Sequence, residues 1–320
     1  MTAGTADRPA AAQGLAGRLA ALVRQVDERL PALLPPADER PVPVHQAMHY
    51  ALTSPGKRIR PVLTLVVADL LGQRLGRLGP RWGSGPSPAS QVLDLACAVE
   101  MVHACSLILD DLPSMDDAEL RRGRPTVHRV FGENVALLAS LALLNRAYAL
   151  VAAAANRLSL RRYTPEDMVH HLAEAIGSNG LIGGQALDLL ARPEELDLDH
   201  LEYIHSHKTG ALFMAAGELG AMAADAKRRD LEVVARYAKN LGLAFQISDD
   251  LLDVLHTAEE TGKDVGKDAD KVTFVKLLGV AGAQQLADEL LRFAVESLAP
   301  LGKKAEPLRD LAWFVGHRSR

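Results

Sequence analysis

The stretch Ser106-Leu107-Ile108-Leu109-Asp110-Asp111-Leu112-Pro113-Ser114-Met115-Asp116-Asp117 closes a helix-length apolar run over 89–112 with a cluster of carboxylates. A second stretch, Phe245-Gln246-Ile247-Ser248-Asp249-Asp250-Leu251-Leu252-Asp253, closes the run over 228–255 in the same way. The two lie too far apart for a solenoid repeat. A pair of acidic helix ends facing one cavity explains them better. Helical spacing also covers 15–34, 44–52, 60–71, 133–157, 165–181, 199–224, 283–298 and 303–316. A Gly- and Pro-rich loop is expected over 75–90. Alternating strand patterns are absent from the sequence. The apolar 48% is mostly Ala and Leu and only 4% of residues are aromatic, a mix that favours helices. A chain of 320 residues could hold two domains, but no linker-like shift divides it. The reading is an all-α, single-domain bundle of about ten helices around a central cavity, spanning 13–320 behind a flexible tail over 1–12.

Charge narrows the function. With 36 basic and 40 acidic residues, net −4, the chain is not a polybasic binder of nucleic acid. Two cysteines, Cys97 and Cys105, build no disulfide framework. Residues 1–13 lack a basic start followed by an apolar run, so no signal peptide is read. The longest apolar stretch, 135–155, is interrupted by Asn145 and Arg146 and reads as a buried core helix, not a membrane span. A soluble cytoplasmic protein with no stable membrane anchor is expected.

Asp249 and Asp253 are four apart and share a helix face. They sit where the helix dipole already disfavours anions, so cations should occupy the site. Oxygen ligands of this kind suit Mg²⁺, which takes a few carboxylates, waters and substrate phosphate. Asp110 and Asp116 would lie about 120° apart on a regular helix. Pro113 must disturb that helix, and a turn could bring Asp116 back beside Asp110.

Basic residues accompany the acids: Arg121-Arg122-Gly123-Arg124, then Gly56-Lys57-Arg58-Ile59-Arg60-Pro61, Lys208-Thr209, and Lys263 with Lys267. Arg grips phosphate oxygens bidentately and Lys acts as a point charge, so the set points to a diphosphate site built around Mg²⁺. Arg58 and Arg124 are read instead as surface ion pairs of small worth. His103, two turns before Asp110, shares its face. His170, His171, His205 and His207 lack zinc-site spacing and read as structural.

Taken together, these motifs resemble the trans-isoprenyl diphosphate synthases. Gly56-Lys57-Arg58-Ile59-Arg60-Pro61 is similar to that family's early basic motif, and Asp110-Asp111 through Asp116 with Arg121-Arg122 to its first aspartate-rich motif. Lys208-Thr209, Phe245-Gln246, Asp249-Asp250 through Asp253 and Gly262-Lys263 follow in the family's order. The stretch 102–126 looks most like geranylgeranyl diphosphate synthases of bacteria and plants. The resemblance implies the isoprenoid synthase fold and a homodimer. It also implies a prenyl transfer: an allylic diphosphate ionises, the double bond of isopentenyl diphosphate attacks, and a proton leaves. Mg²⁺, three ions by the family's habit, would be held by Asp110, Asp116 and Asp249. Arg121, Lys208 and Lys263 would steady the leaving diphosphate. Asp111, Asp250 and Asp253 would act indirectly or through water. Lys57, Arg60, His103 and Arg122 would hold isopentenyl diphosphate. Thr209 and Gln246 would place oxygen dipoles near the cation.

Product length follows from helix geometry. One isoprene unit spans about one helical turn, so each turn before Asp110 gates about one unit. The first turn carries Cys105 and Ser106, both small, where the family's fifteen-carbon stop is aromatic. Met101 and Val102 form the next turn and part of the floor. A twenty-carbon product is expected, with farnesyl or longer products as alternatives. A terpene cyclase would leave Lys57, Arg60 and Arg122 without a role, and a non-catalytic subunit would be expected to have lost its metal carboxylates.

Overall fold

The computed structural model describes residues 9–72, 88–192, 194, 196–255 and 272–317. In chain order the α-helices among them are α1 (Pro9–Ala32), α2 (Val42–Leu52), α3 (Ile59–Leu71), α4 (Pro88–Asp110), α5 (Val127–Phe131), α6 (Glu133–Leu158), α7 (Pro165–Ile176), α8 (Leu181–Leu190), α9 (Leu198–His205), α10 (Ala211–Ala223), α11 (Arg228–Leu255), α12 (Phe274–Ser297) and α13 (Glu306–His317). A helix that is apolar all round must be buried on every side. This places α3, α4 and α10 at the centre: Ile59 to Ala68, Val92 to Val102 and Ala211 to Phe213 are buried without a break. α4 packs against α3 and α6, α10 against α3 and α11, and α12 against α11. Amphipathic helices cover them. α7, opened by a capping box between Thr164 and Asp167, buries only Met168, Leu172 and Ile176. Tyr237 of α11, fully buried, donates its hydroxyl to the Leu308 carbonyl of α13 at 2.6 Å.

The bundle agrees with the expected fold class, and its boundaries differ in instructive places. The expected helix 165–181 ends at Ile176, and α8, which periodicity did not reveal, follows it. The expected helix 199–224 is α9 and α10 joined by a single π turn, Ser206–Gly210. Such turns are frequent at functional sites, and this one carries Lys208 and Thr209. The expected helix 283–298 starts nine residues earlier, at Phe274 behind the cap Thr273. Gly279, at φ 70°, bends it and had broken its pattern. A 3-10 turn, Ala299–Ala305, replaces the start of the helix expected over 303–316. α1 begins inside the stretch read as a tail, and most of the loop expected over 75–90 lies outside the described residues.

The helix over 135–155 needs a correction. α4 and α6 both have the length and hydropathy of a membrane-crossing helix, but 78% of the apolar window of α4 is buried against 39% for α6. Leu137, Leu138 and Leu141 of α6 face outward.

α8 lies hard against the π turn. A methyl group built on Gly184 would sit 2.1 Å from the Lys208 backbone nitrogen. Gly184→Ala is therefore expected to push α8 off the turn and cost about 1–3 kcal/mol, as overpacking does. The denaturation midpoint should fall with little change in slope. A midpoint equal to the parent's would show that α8 is not seated there.

Candidate active site

The first acidic cluster is shaped by its proline. α4 ends at Asp110, and Pro113 offers no N–H to continue it. The chain turns back, with the Met115 N–H donating to the Leu112 carbonyl at 2.9 Å and the Asp116 N–H to the Asp110 carbonyl at 2.9 Å. The expected return of Asp116 to Asp110 is thus a backbone hydrogen bond. Burial raises the Asp110 carboxyl to about 6; Lys208 and Arg121 oppose the rise, while Asp116 and Asp111 reinforce it. A carboxylate so placed lacks positive charge.

The cations come from an element too short for the sequence to reveal. Leu120–Arg121 and Arg124–Pro125 pair as a two-residue antiparallel hairpin. Its connection, Arg122-Gly123, has φ of 55° and 74°. Positive φ at both central residues is the signature of a type I′ turn, which suits Gly and strains Arg. Arg121 Nε donates to Asp111 Oδ1 at 2.9 Å, and Asp111 is 3% exposed. Arg124 lies over the Tyr50 ring at 4.1 Å, and Arg58 is buried in a network of its own. Neither is the surface ion pair expected of it. Arg60, also buried, stacks over Phe213 at 4.5 Å. His103 stands among Arg60, Arg122, Arg121 and Arg58; burial first, and then these charges, hold its imidazole well below the ordinary histidine range.

The second cluster shares basic neighbours with the first, since Arg122 interacts with both Arg121 and Asp249. Asp249 pairs with Lys57 at 3.3 Å. Asp250 is buried and accepts from Gln246 Nε2 at 3.0 Å and from the Phe274 N–H at 3.3 Å. Burial raises its carboxyl to about 6; the two donors oppose this, and Asp249 and Asp253 add to it. Thr209 Oγ1 donates to Gln246 Oε1 at 3.0 Å, so a polar chain ties the π turn to α11 and the start of α12. Lys208 pairs with Asp188 of α8 at 2.6 Å. Gln185 of the same helix reaches the Met115 sulfur at 3.6 Å. Sequence reading missed Asp188 and Gln185. The available signal was Gly183-Gly184-Gln185 followed three residues later by an acid, on a stretch not read as a helix.

Lys263 and Lys267 lie outside the described residues. Cys105 is buried against Ser140 of α6, and burial pushes its thiol up to about 12. Ser106 turns its hydroxyl back to the His103 carbonyl at 2.9 Å. Met101 and Val102, one turn further down, are fully packed. Among the described residues no three His, Cys, Asp or Glu side chains converge as a ready cage for an ion. Mg²⁺ shared with a diphosphate needs only one or two carboxylates and so requires no such cage. The donor set is all oxygen, partly buried and short of positive charge, which fits that ion.

The neutral imidazole has a pH signature. A histidine whose folded pKa is depressed leaves stability intact above about 6.5 and removes it as pH falls, because only the unfolded chain takes up the proton. His103→Gln removes this loss. Its stability relative to the parent should therefore improve by about 1 kcal/mol between pH 7.5 and pH 5.5, read from urea midpoints. A pH-independent difference would mean that His103 is not held neutral.

Comparison with known proteins agrees with this geometry. Residues 42–299 match the family model described as polyprenyl synthetase. A chloroplastic geranylgeranyl pyrophosphate synthase of Catharanthus roseus is 42% identical over 282 residues, 87% of this chain and 74% of the relative. The apo crystal structure of an FPP/GFPP synthase from Zymomonas mobilis superposes with a TM-score of 0.78 at 30% identity, covering 95% of this chain and 99% of that one. A geranyltransferase of Helicobacter pylori, solved with magnesium and isoprenyl diphosphate, gives 0.79 at 27% identity, with 98% of both chains covered. Two acidic helix ends across a basic floor, on this bundle and with these relatives, make the chain a member of the polyprenyl synthetase family.

Proposed function

We propose that this chain is a Mg²⁺-dependent prenyltransferase that condenses isopentenyl diphosphate with allylic diphosphates and releases geranylgeranyl diphosphate. The observation that carries the reading is that Asp110, turned back to Asp116, interacts with Lys208 and Arg121, while Asp249 pairs with Lys57 and interacts with Arg122. When bound, Mg²⁺ neutralises charge on the allylic diphosphate and favours its departure. Asp110, Asp116 and Asp249 would hold the metal, three ions in the full complex. Arg121, oriented by Asp111, and Lys208, oriented by Asp188, grip the same diphosphate; Lys263 joins them in this reading. Lys57, Arg60, His103 and Arg122 hold isopentenyl diphosphate. A neutral His103 can donate one N–H to it without adding charge to a strongly basic pocket. Thr209 and Gln246 place oxygen dipoles where positive charge develops. The C–O bond of the allylic substrate breaks, the second substrate's double bond forms the new C–C bond, and the released diphosphate takes the proton, so no side chain is needed as the base. Closure over the site would have to keep water from the cation.

A homodimer and a cytoplasmic setting belong to the same reading. The outward leucines of α6, 44–53% exposed, suit a homodimer face. Leu138→Arg should convert a dimer to a monomer in light scattering, and an unchanged mass would remove α6 from that role. The working place is taken to be the cytoplasm, although the plant relatives are named chloroplastic.

Incubation with farnesyl and isopentenyl diphosphates and Mg²⁺ should give a twenty-carbon prenol after dephosphorylation, and chelation should stop the reaction. Cys105 decides the length in this reading, because it is small and lies one turn below Asp110. Cys105→Tyr should fold, still ionise its substrate and release farnesyl diphosphate. The same twenty-carbon product at the same rate would show that the tail does not run along α4.

A further inference from the structure

Glu100 sits in the middle of α4, 2% exposed. A carboxylate so far from water is tolerated only when it is paired. Its partner is Arg58, whose Nη1 donates to Glu100 Oε1 at 2.7 Å. Every other nitrogen of that guanidinium is also engaged: Nε with Asp27 of α1 at 2.8 Å, and Nη2 with the carbonyls of Leu52 at 2.7 Å and Ser54 at 2.9 Å. Arg58 has φ of 47°, a left-handed conformation disfavoured for any residue with a Cβ. Strain of this kind persists where the surroundings over-determine it. The strained residue stands between Lys57 and the first turn of α3, which carries Arg60. A methyl group on Gly56 would lie 2.6 Å from Arg122 Nη1 and 3.1 Å from Arg58 Nη1, so the two guanidiniums are neighbours. Glu100 is the main favourable charge for Arg122, against burial and the repulsion of Arg58 and Arg121. Arg58, Glu100, His103 and Arg122 line one small cavity of about 40 Å³.

We propose that Glu100 is a positioning residue for the isopentenyl diphosphate pocket. Through Arg58 it locks the strained turn that aims Lys57 and Arg60, and it supplies the negative charge against which Arg122 is held. This rests on the assignment of Lys57, Arg60, His103 and Arg122 to that substrate. Asp27 is a different kind of partner: it is 47% exposed and reaches only the outer edge of Arg58.

The test is steady-state kinetics on the full chain with Mg²⁺, with each substrate varied in turn. Glu100→Gln should raise the KM for isopentenyl diphosphate about tenfold and leave the KM for farnesyl diphosphate within about twofold. Asp27→Asn should lower stability and leave both constants within about twofold. Because Glu100→Gln leaves the buried Arg58 cation without its buried counter-charge, the double variant Arg58→Met with Glu100→Leu provides a charge-free core. It should fold and still show the isopentenyl-specific rise. Folded variants in which both KM values stay at the parent's level, or rise together, would overturn the proposal. Arg122→Ala separates the two levels. If it raises the isopentenyl KM and the Glu100 variants do not, the positioning role alone is wrong. If Arg122→Ala has no effect either, the pocket assignment fails and the positioning role fails with it.

Discussion

Carboxylates held partly out of water repel one another, and this protein places one group of them at the end of α4 and another near the end of α11. Everything around the site answers that repulsion. Arg121 is drawn to Asp111, Lys57 to Asp249 and Lys208 to Asp188. Asp110 and Asp250 are still pushed up to about 6, by burial first and by the neighbouring carboxylates after it. Under the proposed function, buried acids of this kind beside basic residues suit a metal–diphosphate complex. Where the carboxylates are buried, as at Asp111 and Asp250, each charge counts for more than it does in water.

Rigidity comes from the core and precision from strained backbone. α3, α4 and α10 are buried along most of their length, so the end of α4, which carries the first acids, and the basic turn before α3 cannot drift. Among the described residues, five without a glycine's freedom adopt positive φ, and Arg58, Asp117 and Arg122 of these border the site. Each stands where the chain must reverse or aim a charge within a few residues. The π turn does the same work inside a helix, with the Thr209–Gln246–Asp250 chain holding it to α11.

Much of this was legible in the sequence because long helices advertise themselves. Apolar periodicity marked most of the bundle, and the acids at 110, 116 and 249 and the cations at 57, 121, 122 and 208 stood out by clustering. α8 escaped because its ten residues are apolar and Gly-rich with no clear face, and with it escaped Asp188 and Gln185. α12 was shortened by Gly279, whose bend interrupts the period. The outward face of α6 looked like core for a related reason: composition records apolarity but not the side on which a neighbour lies.

By itself, then, the sequence determined the helical class and the motifs that mark the family, since these rest on local periodicity and on side chains close together in the chain. Only the tertiary structure decided partners. That Lys57 meets Asp249, that Lys208 meets Asp188, and that Arg58 is a buried ligand of Glu100 and not a surface charge are contacts between residues far apart in sequence. Coulomb energy depends on distance and on solvent access. Neither is set until the helices have packed.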